Sequence, residues 1–226
     1  MTGRPLSDLT FDEWLHFVFD HPVDNSRLEW YWDTGADWWD GPAARSAEYL
    51  SRTFENAENL FAPYSDDQLN QGLWYLASNA CSNHMFALTD VSVPWPERRR
   101  CIRSFLSLYQ DCFASRCTPH LSHLDEPGAG PLNSICYMWW DILPVVGQPE
   151  DPAHKELDQA ILQVMDAALK VNSIACQESA LHGLGHWHLQ YPEQVVGIIE
   201  KFLQRHKDLS EDLQKYAWSA RSGCLL

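Results

Sequence analysis

The chain lacks long apolar runs, strand-like alternation, any Cys-x-x-Cys pair and much positive charge, and each lack removes a class of function. Its 16 basic residues face 31 acidic ones, giving a formal net charge of -15 and a pI near 4.9. Phosphate binding needs concentrated Lys and Arg, so nucleic acid and anionic membranes are poor direct partners. No apolar stretch approaches the roughly 20 residues that a bilayer span requires, so no membrane partner is expected. Met1 to Asp8 hold Arg4 but no apolar core of signal-peptide length, which predicts a cytoplasmic location. The seven cysteines are odd in number and lie mostly within apolar helical patterns, so they read as reduced, packed thiols. A Walker loop, a dinucleotide fingerprint, a Gly-x-Ser-x-Gly elbow and a kinase set are also missing. The chain reads as a binding protein rather than an enzyme, with no cofactor.

What is present is helical periodicity. Thr10 and Glu13 form a capping-box pair ahead of Phe11, Trp14, Leu15 and Val18, and that helix must stop before Pro22. A second helix is expected from about Pro42 to Leu60. Ser65 and Gln68 form another capping box ahead of Leu69, Leu73, Leu76 and Ala80. Further helices are expected around Ile102 to Phe113, Leu132 to Leu143 and Leu157 to Leu169, then over Ala175 to Leu189, Pro192 to Leu203 and Glu211 to Ala217. Leu157, Ile161, Val164, Ile198 and Phe202 are the expected core of the later helices. The predicted fold is all-α, built of irregular antiparallel helix pairs in one domain over 1–226. Residues 1–64 hold the N-terminal helices and an acidic aromatic loop, and 65–226 hold paired helices.

Short links containing proline or glycine favour antiparallel neighbours. The stretch Ala175-Cys-Gln-Glu-Ser-Ala-Leu-His-Gly-Leu-Gly-His186, followed by Pro192 and the Val195 to Leu203 pattern, resembles one HEAT-like repeat. That resemblance covers the C-terminal third and implies a protein-binding scaffold. In acidity, aromatic content and reduced cysteines the chain is also similar to immunity proteins of interbacterial toxin systems. That second resemblance implies inhibition of a basic partner, a toxin, by occlusion.

The sharpest local anomaly is the expected loop from Asn25 to Gly41. Trp30, Tyr31, Trp32, Trp38 and Trp39 alternate there with Glu29, Asp33, Asp37 and Asp40. Aromatics supply rigid contact area at binding hot spots, and carboxylates beside them can pair with Arg or Lys of a basic protein. Glu29, Trp30, Trp32, Asp33, Asp37, Trp38, Trp39 and Asp40 are therefore the candidate partner site. Two other readings stay open: a tryptophan cage for a small cationic ligand, and tryptophans that pack the loop onto the helices. An alternative chemistry lies in Glu178, His182 and His186, spaced by four on one helix, which could serve a metal-dependent hydrolase. No metal is expected there, because Gly183 and Gly185 soften the helix and no glutamate lies inside the His pair. His182 and His186 then become hydrogen-bonded residues between helices. His120 and His123 are expected in a solvated turn, and the Arg98, Arg99, Arg100, Arg103 cluster is expected to meet acidic groups of the same chain.

Overall fold

The structure is a computed structural model describing residues 3–24 and 28–225. Asn25 to Arg27, the head of the expected loop, lie outside the described residues, as do Met1 and Thr2. Among the described residues the fold is all-α. Strand is confined to two dipeptides, β1 (Pro5–Leu6) and β2 (Trp38–Trp39), paired in parallel with Pro5 opposite Trp38 and Leu6 opposite Trp39. No helix among the described residues is long and apolar enough to cross a membrane. The chain divides into two compact units, Met1–Ser107 with Ile142–Pro144, and Leu108–Asp141 with Val145–Leu226.

In the first unit, α1 (Phe11–Phe19) starts at the expected capping box. Thr10 Oγ1 accepts the Glu13 N–H and Glu13 Oε2 accepts the Thr10 N–H at 2.8 Å, so two donors that a helix start leaves orphaned are satisfied. Its stripe of Phe11, Trp14, Leu15 and Val18 is buried. The helix expected from Pro42 to Leu60 is two helices, α2 (Ala43–Glu55) and α3 (Ala57–Leu60). Asn56 divides them: its side-chain amide donates to the Arg52 carbonyl at 2.9 Å, closing α2 at a residue that readily leaves helical geometry. The Ser65 and Gln68 box opens α4 (Asp66–Ala77) as its spacing predicts. A 3-10 turn at His84–Leu88 follows, then α5 (Trp95–Leu108), which tolerates Pro96 because the first turn has no N–H bond to lose. Trp14, Leu50, Phe54, Leu69, Leu73, Tyr75 and Phe105 are fully buried in this unit.

The second unit opens with a π turn at Tyr109–Phe113 and α6 (Ala114–Arg116). It continues with α7 (Pro131–Ile142), α8 (Lys155–Ala168), α9 (Ile174–Trp187), α10 (Pro192–Arg205) and α11 (Glu211–Arg221). α9 is the axis of the unit: it packs against α8, α10 and α11, and from Ala175 to Trp187 every residue except His186 is buried. Leu157, Ile161, Val164 and Phe202 are buried as their periodicity requires, but Ile199 takes the interior position expected of Ile198, which is only partly covered. Cys101, Cys112, Cys136 and Cys176 are buried and in no disulfide, while Cys224 is exposed.

Candidate functional site

The acidic aromatic segment belongs to the first unit, and the structure sorts its members into packed and presented residues. Trp30, Tyr31 and Trp32 form a 3-10 turn rather than open loop, and Trp38 and Trp39 form β2. Strand pairing places adjacent side chains on opposite faces, so Trp39 turns inward and Trp38 outward. Trp39 is 2% exposed: its indole N–H donates to Ser46 Oγ at 2.9 Å and its backbone N–H to the Tyr75 hydroxyl at 3.1 Å. Trp30 stacks on the His21 ring at 4.0 Å and packs against Phe17 and Tyr75. Trp32 and Trp38 keep 46% and 39% of their surface in solvent. Together with Tyr31, Asp33, Asp37, Tyr75 and Cys81 they line a cavity of about 250 Å³.

The carboxylates also divide. Asp37 holds the chain's own Arg4, accepting its backbone N–H at 2.9 Å and its Nε at 3.3 Å, which anchors the segment leading into β1. Asp33 Oδ1 accepts the Gly35 N–H at 2.8 Å and so shapes the turn between the two tryptophan pairs. Glu29 and Asp40 are exposed. Burial raises the pKa of Tyr31, so its hydroxyl stays protonated beside these acids. The arginine cluster behaves as expected at one position: Arg100 grips Glu55 with two hydrogen bonds of 2.8 and 2.6 Å.

In the second unit, Glu178, His182 and His186 share a face of α9, yet only the two histidines converge. The Glu178 carboxylate is fully buried and accepts the backbone N–H groups of Ser122 and His123 at 2.9 and 3.0 Å. It also lies 2.6 Å from His123 Nδ1. The turn expected to be solvated is therefore tied to α9 by a buried acid, which is what satisfies that acid's lone pairs. His182 Nε2 lies 3.2 Å from His186 Nε2, and His186 Nε2 lies 3.5 Å from Asp141 Oδ1 at the end of α7. The donor atoms of Asp141, His182 and His186 all fall within 4.8 Å of one another, so these three, not Glu178, could hold a metal. On the other side of its ring, His182 Nδ1 meets the Tyr216 hydroxyl at 2.7 Å, and Tyr216 donates onward to Tyr137 at 3.2 Å. Desolvation, helped by His186, pushes the His182 pKa down to about 4, leaving a neutral imidazole.

The two glycines of this segment make the convergence possible. A Cβ at Gly183 would sit 2.6 Å from the Trp140 ring of α7, beside Asp141, and one at Gly185 would collide with the Leu225 side chain and sit 3.2 Å from the Ala220 Cα of α11, the helix of Tyr216. They set how closely α7 and α11 approach α9. Sequence reasoning missed Asp141, Tyr137 and Tyr216, which carry no local motif. The only signal was the Gly-Leu-Gly spacing between the histidines, legible as close packing once the neighbours are known. Comparison with protein-family models, curated proteins and solved structures returns no match for this chain.

Proposed function

We propose that the chain is a protein-binding module that seats a basic side chain of a partner protein between Trp32 and Trp38, with Asp33 and Asp40 completing the charge match. The observation that carries this reading is the cavity of about 250 Å³ walled by Tyr31, Trp32 and Trp38 and edged by Asp33 and Asp37. Its volume lies below the roughly 300 to 1,000 Å³ usual for drug-sized ligands, which favours one long side chain over a whole small molecule. Aromatic faces attract a guanidinium or ammonium, and the net charge of -15 steers a basic protein toward the chain. In the immunity-type form of this reading, the partner is a basic toxin whose working surface is occluded.

The test is association and dissociation kinetics with a short arginine-rich peptide, followed by tryptophan fluorescence. Trp38→Ala is expected to speed dissociation by about 30-fold, the equivalent of a hot spot of roughly 2 kcal/mol. Asp33→Asn with Asp40→Asn is expected to slow association and flatten its salt dependence, with dissociation little changed. Unchanged kinetics in both Trp32→Ala and Trp38→Ala would remove the proposal.

A further inference from the structure

The second unit carries chemistry that protein binding by the first does not use. We propose that Asp141, His182 and His186 form a site for one divalent transition-metal ion of the zinc class, held by three protein ligands with a fourth position open to solvent. Two of the three ligand-atom separations, 3.2 Å between the two Nε2 atoms and 3.5 Å from His186 Nε2 to Asp141 Oδ1, are those of a metal's ligand shell, and all three atoms lie within 4.8 Å of one another. Bonds of about 2.0 to 2.1 Å in tetrahedral geometry place neighbouring ligand atoms about 3.3 Å apart.

Proton bookkeeping points the same way. Tyr216 donates its hydroxyl proton to Tyr137, so it accepts from His182, which fixes the proton on His182 Nδ1 and leaves a lone pair on Nε2. His186 Nε2 then has at most one proton to share between two acceptors, His182 Nε2 and the Asp141 carboxylate. A cation at their centre satisfies all three atoms at once. The arrangement behind His182 is that of a metal-bound imidazole, whose remote N–H is held by an oriented oxygen. Tyr216 is itself held, by Tyr137 and by the His123 ring stacked on it at 4.0 Å, and His123 is fixed by buried Glu178. His182 is buried, whereas the His186 and Asp141 side chains are 45% and 38% exposed, which leaves the outer side open for water or a substrate atom. A carboxylate and two imidazoles suit zinc and its neighbours better than calcium or magnesium, which prefer all-oxygen sets.

The test is titration of chelator-treated full-length protein with Zn²⁺ by calorimetry, and with Co²⁺ by visible absorption. The expected result is one ion per chain, a tetrahedral Co²⁺ spectrum, and a thermal midpoint raised by Zn²⁺. His186→Ala and Asp141→Asn each alter a surface side chain, so both variants are expected to fold, as far-UV circular dichroism checks, and to lose at least about tenfold in affinity. Tyr216→Phe keeps the ring and removes the acceptor of the His182 proton. It is expected to weaken binding by roughly 10- to 100-fold as a positioning residue. His16→Ala, which breaks an exposed His and Asp pair in the first unit, is expected to change nothing. The proposal is overturned by a lack of saturable one-to-one binding, or by binding that survives in folded His186→Ala and Asp141→Asn.

Discussion

Inside the first unit one histidine is held in a single protonation state by three hydrogen bonds. The Trp14 indole N–H donates to His84 Nε2 at 2.9 Å, so His84 carries its proton on Nδ1 and donates to Ser82 Oγ at 2.8 Å. Ser82 in turn donates to the Tyr75 carbonyl at 2.6 Å. A second proton on the ring would break the Trp14 bond inside a fully buried site, and desolvation pushes the His84 pKa down to about 3. The folded value lies below the unfolded one, near 6.5, so the unfolded chain binds a proton that the folded chain refuses. Stability is then complete above about pH 6.5 and lost as pH falls from there toward about 3, by up to about 1.4 kcal/mol per unit. Urea denaturation at about pH 7.5 and about pH 5 measures it: wild type is expected to lose about 2 kcal/mol more than His84→Gln, which can still accept from Trp14. An equal acid loss in the two proteins would mean that His84 is already charged in the fold. Adjacent residues in this unit can also differ completely in fate, as Trp38 and Trp39 do.

At the scale of elements, two glycines in helices should respond with opposite signs to the same substitution. In open surroundings Gly→Ala in a helix interior gains up to about 1 kcal/mol, because it narrows the unfolded ensemble. Gly197 in α10 has nothing within 4 Å of where a Cβ would lie, so Gly197→Ala is expected to raise stability by about that amount. At Gly183 the new methyl would meet Trp140 side-chain atoms at 2.6 to 2.8 Å, and overpacking of this kind costs about 1 to 3 kcal/mol. Gly183→Ala is therefore expected to lower the thermal midpoint, and to weaken Zn²⁺ binding by moving α7 with Asp141 away from α9. Equal stabilisation by both substitutions would show that α7 yields easily. The same contrast explains what the sequence discloses. The capping boxes at Thr10 and Ser65 involve residues three apart and no distant partner, so both helix starts are readable in advance. The stripes of α1 and α8 are equally local. Pairing of Pro5–Leu6 with Trp38–Trp39 depends on tertiary approach and has no period to read in a dipeptide. Asp141 reaches His186, and Tyr216 reaches His182, across close contacts at which Gly183 and Gly185 carry no Cβ. The spacing along α9 alone offers Glu178 as a third ligand only as an alternative, and its carboxylate faces Ser122 and His123 instead.

For the whole molecule the dominant quantity is charge: a net -15 on 226 residues repels itself, and every compact state concentrates it. Local ion pairs oppose this, among them Arg100 with Glu55 at 2.6 Å, Lys170 with Asp166 at 2.6 Å and Arg221 with Glu200 at 2.5 Å. These pairs are partly exposed, and pairs of that kind contribute little individually because water screens them and ordering two long side chains costs entropy. The net repulsion should therefore win, with a sign that salt reveals. Raising NaCl from about 0.01 M to about 0.15 M shortens the screening length from about 30 Å to about 8 Å, which quenches long-range repulsion while leaving contacts near 3 Å largely intact. The thermal midpoint is expected to rise over that range, equally for NaCl and KCl because the effect is screening rather than ion binding. Association with a basic peptide is expected to slow over the same range, since the field that strains the fold is the one that draws the peptide in. The two measurements are thus coupled with opposite signs. A midpoint that falls with salt would mean that the local pairs outweigh the net charge, and the acidic excess would then be spread too evenly to steer a partner toward Trp32 and Trp38.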